Sequence, residues 1–200
     1  MLMLKSIFRK AFLVIVNPEA ALTHIKNEKR SWLGWVLFLV VFSLFSTPFV
    51  TLKSAYGFGN SDWHFSGSAY ADAVKNDYPH LAARFGPLTA KIMLIPIIWF
   101  NMILLVLIFS FLIWLIAKYV LKGSGTYYAT CAGLAYTFLP SLLFGALPYS
   151  GILSATWTTV LQLILMPMVI HGLPFRKAMW LYIVFLAYLI YSIDFIGKVV

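Results

Sequence analysis

Long apolar runs separated by short polar or basic segments dominate the pattern of this 200-residue chain. Each run holds about 19–26 residues, and a helix needs about 20 residues to cross the hydrocarbon core of a bilayer. The pattern therefore predicts an all-α fold, a polytopic transmembrane helical bundle of about five spans. The predicted spans are residues 32–52, 92–117, 127–147, 152–170 and 178–196.

Two segments lie outside these spans. Residues 1–31 are predicted to form an amphipathic, interfacial helical segment, in which Asn17 caps a helix that starts at Pro18. The apolar face of that helix carries Ala21, Leu22 and Ile25. The outer loop, residues 53–91, is rich in glycine, serine and aromatic residues, and we expect it to lie against the lipid headgroups.

Composition supports a membrane protein, because 62% of the residues are hydrophobic and only 10% are charged, against about 25% in soluble domains. The net charge of +9 does not indicate nucleic-acid binding, since the basic residues cluster at the ends of spans. Ten of the 15 Lys and Arg residues fall on the side of the N-terminus. This bias predicts a cytoplasmic N-terminus, an outside C-terminus and contact with anionic lipid headgroups.

Catalytic and metal-binding patterns are not found in the sequence. It contains no zinc-protease, nucleophile-elbow, intramembrane-protease or phosphate-loop motif. Cys131 is the only cysteine, so no intramolecular disulfide can form. Met166, Met168 and His171 have a superficial likeness to a copper site, but we expect His171 to cap the last carbonyls of its helix. No catalytic, cofactor-binding or metal residue is predicted.

Polar residues inside apolar spans are candidates for function. Asn101 and Gln162 lie within the second and fourth predicted spans, and Asp194 lies near the outer end of the fifth. Hydrogen bonds between helices account for the two amides without a substrate. An ion pair with Lys198, four residues further along the helix, accounts for Asp194.

Small residues mark the third predicted span as a packing helix. Ala129 and Gly133 are four residues apart, a spacing that allows helix backbones to approach closely in lipid. We therefore expect this span at the centre of the bundle or in a dimer interface.

Several segments carry a resemblance to a known family. They are Asn-Pro-Glu-Ala-Ala-Leu at 17–22, Lys-Gly-Ser-Gly-Thr-Tyr at 122–127, Gly-Leu-Ala-Tyr-Thr-Phe-Leu-Pro at 133–140 and His-Gly-Leu-Pro at 171–174. With this layout the chain resembles the Yip-type (Ypt/Rab-interacting) membrane proteins, and Tyr136 and Pro140 match the pattern of their third span. The acidic-aromatic cytoplasmic motif of eukaryotic members is missing. The chain is therefore more similar to the members of the family in the bacterial inner (plasma) membrane.

The resemblance and the missing catalytic motifs together predict a non-enzymatic membrane protein that organises the bilayer or binds partner proteins. Eukaryotic members of the family interact with Ypt/Rab GTPases. The expected partners here are the lipid bilayer, a second copy of the chain or another membrane protein, with no cofactor. The alternative is a transporter or channel for small solutes or ions, which a dimer could also form. Its solute path would be lined by Asn101, Gln162 and proline-broken helices. An enzyme of lipid chemistry ranks third.

Overall fold

The computed structural model describes residues 2–28, 33–41, 78–140 and 151–199. Those residues are mostly helical and include no strand, which confirms the all-α class. In chain order the helices are α1 (Leu2–Val16), α2 (Pro18–Asn27), α3 (33–41), α4 (Tyr78–Phe85), α5 (Pro87–Leu115), α6 (Tyr127–Thr137), α7 (Gly151–Val160), α8 (Met166–His171) and α9 (Phe175–Val199).

Helices α1 and α2 form an N-terminal hairpin. The Asn17 side chain accepts a hydrogen bond from the backbone N–H of Ala20 at 3.1 Å, so it caps α2 as the sequence predicts. The predicted apolar face of α2 is fully buried, but the helical bundle covers it. Its three buried residues lie on the side of α2 that packs against α1, α6 and α8; they are Ala21, Leu22 and Ile25.

Helix α5, with 29 residues, is the longest helix among the described residues and is strongly apolar. Among the described residues one stretch, Ile103–Val120, is both long and apolar enough to cross a membrane. Only 22% of the residues in that stretch are buried, as expected for a helix that has lipid on part of its surface. The first predicted span lies largely outside the described residues, and the count of five spans stays a prediction.

Two helices widen into π-helical turns. Helix α5 continues into such a turn at Ile116–Val120, and α7 joins α8 through another at Leu161–Leu165. The second turn ends two residues before Pro167. The missing N–H of this proline leaves a carbonyl one turn earlier without its helical partner. The wider turn accommodates this break, so the helix continues through the fourth predicted span and ends at His171, one residue beyond it.

Helix α6 lies at the centre of the described bundle. Every residue from Tyr128 to Thr137 is buried, and α6 contacts α1, α2, α5 and α8. Helix α6 can occupy this central position because its small side chains let neighbouring helices approach on several sides.

Candidate functional site

The clearest cluster of polar contacts lies where the loop between α5 and α6 meets the end of α8. We call this region the basic end; it comprises residues 117–126 and 169–177 together with Lys26. The backbone N–H of Gly123 donates to the Ala117 carbonyl at 2.8 Å, and that of Ser124 donates to the His171 carbonyl at 2.9 Å. The loop is thereby fixed to the end of α8.

His171 is the centre of this cluster. Its Nε2 lies 3.0 Å from the hydroxyl oxygen of Thr130 on α6. The Thr130 hydroxyl donates its single hydrogen to the Thr126 carbonyl at 2.9 Å, so it accepts from His171. This assigns the tautomer with hydrogen on Nε2. It leaves Nδ1 as a bare nitrogen, which is buried and has no hydrogen-bond partner among the described residues. The sequence-based expectation that this imidazole caps its own helix is therefore wrong.

Gly172 ends α8 instead. Its φ of +65° is in the left-handed region that glycine adopts without strain, and its position past the last helical residue is typical of helix ends.

Glycine is also required beside the imidazole. A Cβ placed on Gly125 would lie 2.5 Å from His171 Nδ1 and 2.8 Å from Cε1. The ring cannot move away easily, because Thr130 fixes its other side. The Gly-rich loop therefore covers His171 only because it carries no side chain at this point.

His171 follows the last residue of the predicted fourth span, and its environment disfavours the charged imidazolium. Burial, with a smaller contribution from the positive charge of Lys26, lowers the pKa of His171 to about 4. A proton on Nδ1 would have no acceptor among the described residues. The histidine is therefore neutral at ordinary pH.

Two lysines cap helix ends in the same region. Lys26 Nζ donates to the Val169 carbonyl at 3.0 Å, and Lys177 Nζ donates to the Leu121 carbonyl at 2.9 Å. Cations are favourable at these carbonyl-bearing ends because the helix dipole is negative there. With exposed Lys118, Lys122 and Arg176, they make this region strongly positive.

A second set of contacts fixes the N-terminal hairpin. Lys10 is only 8% exposed and forms an ion pair with Glu28. Its Nζ also lies 5.4 Å from the centroid of the Tyr136 ring, and the centroids of the Phe38 and Tyr136 rings are 4.2 Å apart. Tyr136 therefore joins α1, α3 and α6. Sequence reasoning missed Lys10 and Glu28, because no periodic spacing relates residues on two different helices.

The packing candidates occupy the centre of the bundle. Ala129, Tyr136 and Pro140 are buried. A Cβ on Gly133 would lie 2.4 Å from Ile170 Cδ1 and 3.0 Å from Met166 Sδ, so α8 approaches α6 closely at this glycine.

The three polar candidates are not brought together by any described contact. Gln162 lies in the second π-helical turn, and its buried amide nitrogen has no hydrogen-bond partner in the part of the chain that the structure describes. Asn101 belongs to α5 and Asp194 to α9, but their side chains lie outside the described part of the structure. No group of three or more potential metal ligands occurs among the described residues.

Comparison with known proteins decides the family. The model of the Yip1 domain matches residues 12–196, which is nearly the whole chain. The chain belongs to the Yip1 domain family. No curated protein and no solved structure matches it. In this Yip1 domain the match begins within α1 and ends within α9, so it includes the hairpin, the Gly-rich loop and His171.

Proposed function

We propose that this Yip1 domain is a non-enzymatic, multi-pass protein of a bacterial inner membrane that organises the surrounding bilayer or binds partner proteins. The N-terminal hairpin and the basic end are assigned to the cytoplasmic side, and the C-terminus to the outside. The charge bias across the predicted spans supports this orientation.

The observation that carries the proposal is the bonding of the two threonines of α6 that are buried among the described residues, Thr130 and Thr137. Both threonines bond within the protein. Thr130 bonds to Thr126 and His171, and Thr137 shares its single hydroxyl hydrogen between the Gly133 and Leu134 carbonyls, each 2.9 Å away. A solute path along this helix would need polar groups directed into a cavity. The threonine hydroxyls are instead occupied by local contacts, as in a packed scaffold.

The positive charge of the basic end supports contact with an anionic membrane surface. Lys118, Lys122 and Arg176 are exposed there, beside the two lysines that cap helices. Each basic residue close to an anionic bilayer contributes about 1 kcal/mol of attraction. Anionic headgroups, or an acidic segment of a partner, are therefore the expected ligands of this surface.

One observation favours transport as a second candidate function. Gln162 lies in a π-helical turn, an irregularity that is frequent at functional sites. Its buried amide nitrogen has no hydrogen-bond partner within the described residues. Asn101 is the other amide inside a predicted span.

Proteoliposomes containing anionic lipid test the two candidates together. A membrane organiser should change the vesicle diameter as protein density rises, without releasing ions or small solutes above the rate of protein-free vesicles. Arg176→Gln should weaken this effect, whereas Arg84→Gln, which removes the same charge from an exposed position on α4, should not. Solute flux that disappears in the double variant Asn101→Leu, Gln162→Leu would establish the transporter instead.

A further inference from the structure

Helix α1 packs against the rest of the protein on a side that contains a lysine. Among its described side chains the buried ones are Ile7, Lys10, Ala11 and Val14. Another side of the helix is also apolar but lies at the surface, where Phe12 is 65% and Val16 is 63% exposed and Arg9 is exposed beside them. Both sides of α1 therefore carry apolar and basic residues, so the burial of apolar surface alone does not determine which side docks.

Lys10 is held in its buried position by groups on other helices. Its ammonium donates to both carboxylate oxygens of Glu28, and its Nζ lies over the Tyr136 ring of α6. Glu28 follows directly after α2, and its backbone N–H donates to the Ile25 carbonyl at 3.3 Å. Since Ile25 is fully buried where α2 packs onto the bundle, Glu28 is a fixed point for the ion pair. The pair therefore ties the rotation of α1 to a point outside that helix.

The energetics of such a pair affect orientation more than stability. Removing two charges from water costs about as much as their attraction returns, so a buried ion pair adds little net stability. A lysine that stays buried after losing its carboxylate is, by contrast, strongly unfavourable. Glu19 and Glu28 are the acidic residues of the segment 1–41, and Glu19 is exposed in the first turn of α2. Glu28 is thus the acidic group that the structure places against Lys10.

We propose that the pair of Lys10 and Glu28 is a rotational latch, which holds α1 with its lysine toward the bundle. Without the carboxylate, α1 turns about its axis until the ammonium reaches water, and the side with Phe12 and Val16 turns toward the bundle. The latch decides which residues of the N-terminal helix the protein presents on its surface. It does not depend on the proposed function, because it concerns contacts within the chain.

Two valines on nearly opposite sides of α1 report its rotation. Val14 is fully buried and Val16 is exposed, and at 3.6 residues per turn they lie about 160° apart around the helix axis. Each is replaced in turn by cysteine, and its labelling by N-ethylmaleimide is timed in the intact protein in detergent. The native Cys131 is buried, so protein without a new cysteine gives the background. With the latch intact, Val16→Cys should react much faster than Val14→Cys.

Glu28→Ala is the change that opens the latch. It should lower the ratio of the two labelling rates by about tenfold or more, because an unpaired lysine leaves the buried side. Val14→Cys then becomes faster and Val16→Cys slower. Glu19→Ala removes the same charge from an exposed position on α2 and should leave the ratio unchanged. Adding Lys10→Met to Glu28→Ala should restore the original ratio, since a methionine is stable on the buried side.

Three outcomes would overturn the latch. Protection of Val14→Cys that survives Glu28→Ala would show that packing and the short connection at Asn17 fix the rotation of α1 without the pair. Fast labelling at both positions would show that α1 leaves the bundle and does not rotate on it. A ratio that Lys10→Met fails to restore would show that the effect of Glu28→Ala does not arise from the unpaired lysine.

Discussion

His171 should make the stability of the protein depend on pH in a calculable way. The folded state holds the imidazole neutral with a pKa of about 4, whereas the unfolded chain has the ordinary value of 6.5. Below pH 6.5 the unfolded chain therefore binds a proton that the folded protein excludes. The stabilisation is fully present above pH 6.5 and is lost as the pH falls toward 4.

The magnitude follows from the two pKa values. Each pKa unit corresponds to about 1.4 kcal/mol, so the full loss is about 3 kcal/mol, of which about 2 kcal/mol is lost between pH 7 and pH 5. Measurements in that interval largely avoid the titration of carboxylates, which have ordinary pKa values near 4.

The assay compares unfolding midpoints of purified protein in detergent, followed by circular dichroism during denaturant titration at pH 7 and pH 5. His171→Gln should remove most of the pH dependence, because a glutamine amide can donate to Thr130 but cannot take up a proton. His24→Gln is the matched control, since His24 is exposed on α2 and should leave the dependence intact. An unchanged pH dependence in His171→Gln would refute the assignment of a buried neutral imidazole.

Three further substitutions test packing and ion pairing in the same denaturation assay. Gly133→Leu should lower the stability by about 1–3 kcal/mol, because the leucine side chain would overlap Ile170 and Met166. A variant as stable as wild type would contradict the close contact between α6 and α8. Glu28→Ala should destabilise the folded protein more than Lys10→Met does. Glu28→Ala leaves a nearly buried ammonium unpaired, whereas Lys10→Met leaves a Glu28 side chain that is 32% exposed. Equal losses of stability would show that the ammonium reaches water.

Local signals in the sequence predicted much of the helical structure. Asn17 followed by Pro18 marked the start of α2, and Gly172 marked the end of α8, because the chemistry of caps is contained within a few neighbouring residues. Small residues at Ala129 and Gly133 indicated close packing, and both positions are indeed buried in the centre of the described bundle.

Contacts between distant residues could not be predicted in the same way. The pair Lys10 and Glu28 depends on how two helices dock, and the setting of His171 depends on a loop almost fifty residues earlier in the chain. The apolar face of α2 was predicted from the helical periodicity of its apolar residues. Periodicity alone does not show whether a membrane surface or another helix covers that face. The structure shows that other helices of the protein cover it.

The docking of the N-terminal hairpin onto α8 has a consequence for biosynthesis. The hydrogen bond from Lys26 to Val169 joins residues 143 positions apart. A ribosome adding about 5–20 residues per second needs roughly 7–30 s to make that length of chain. During this delay the apolar face of α2 has no α8 to cover it, although the hairpin leaves the ribosome first. The nascent hairpin must therefore rest on another surface, such as the bilayer or a chaperone, and exchange it for α8 late in assembly.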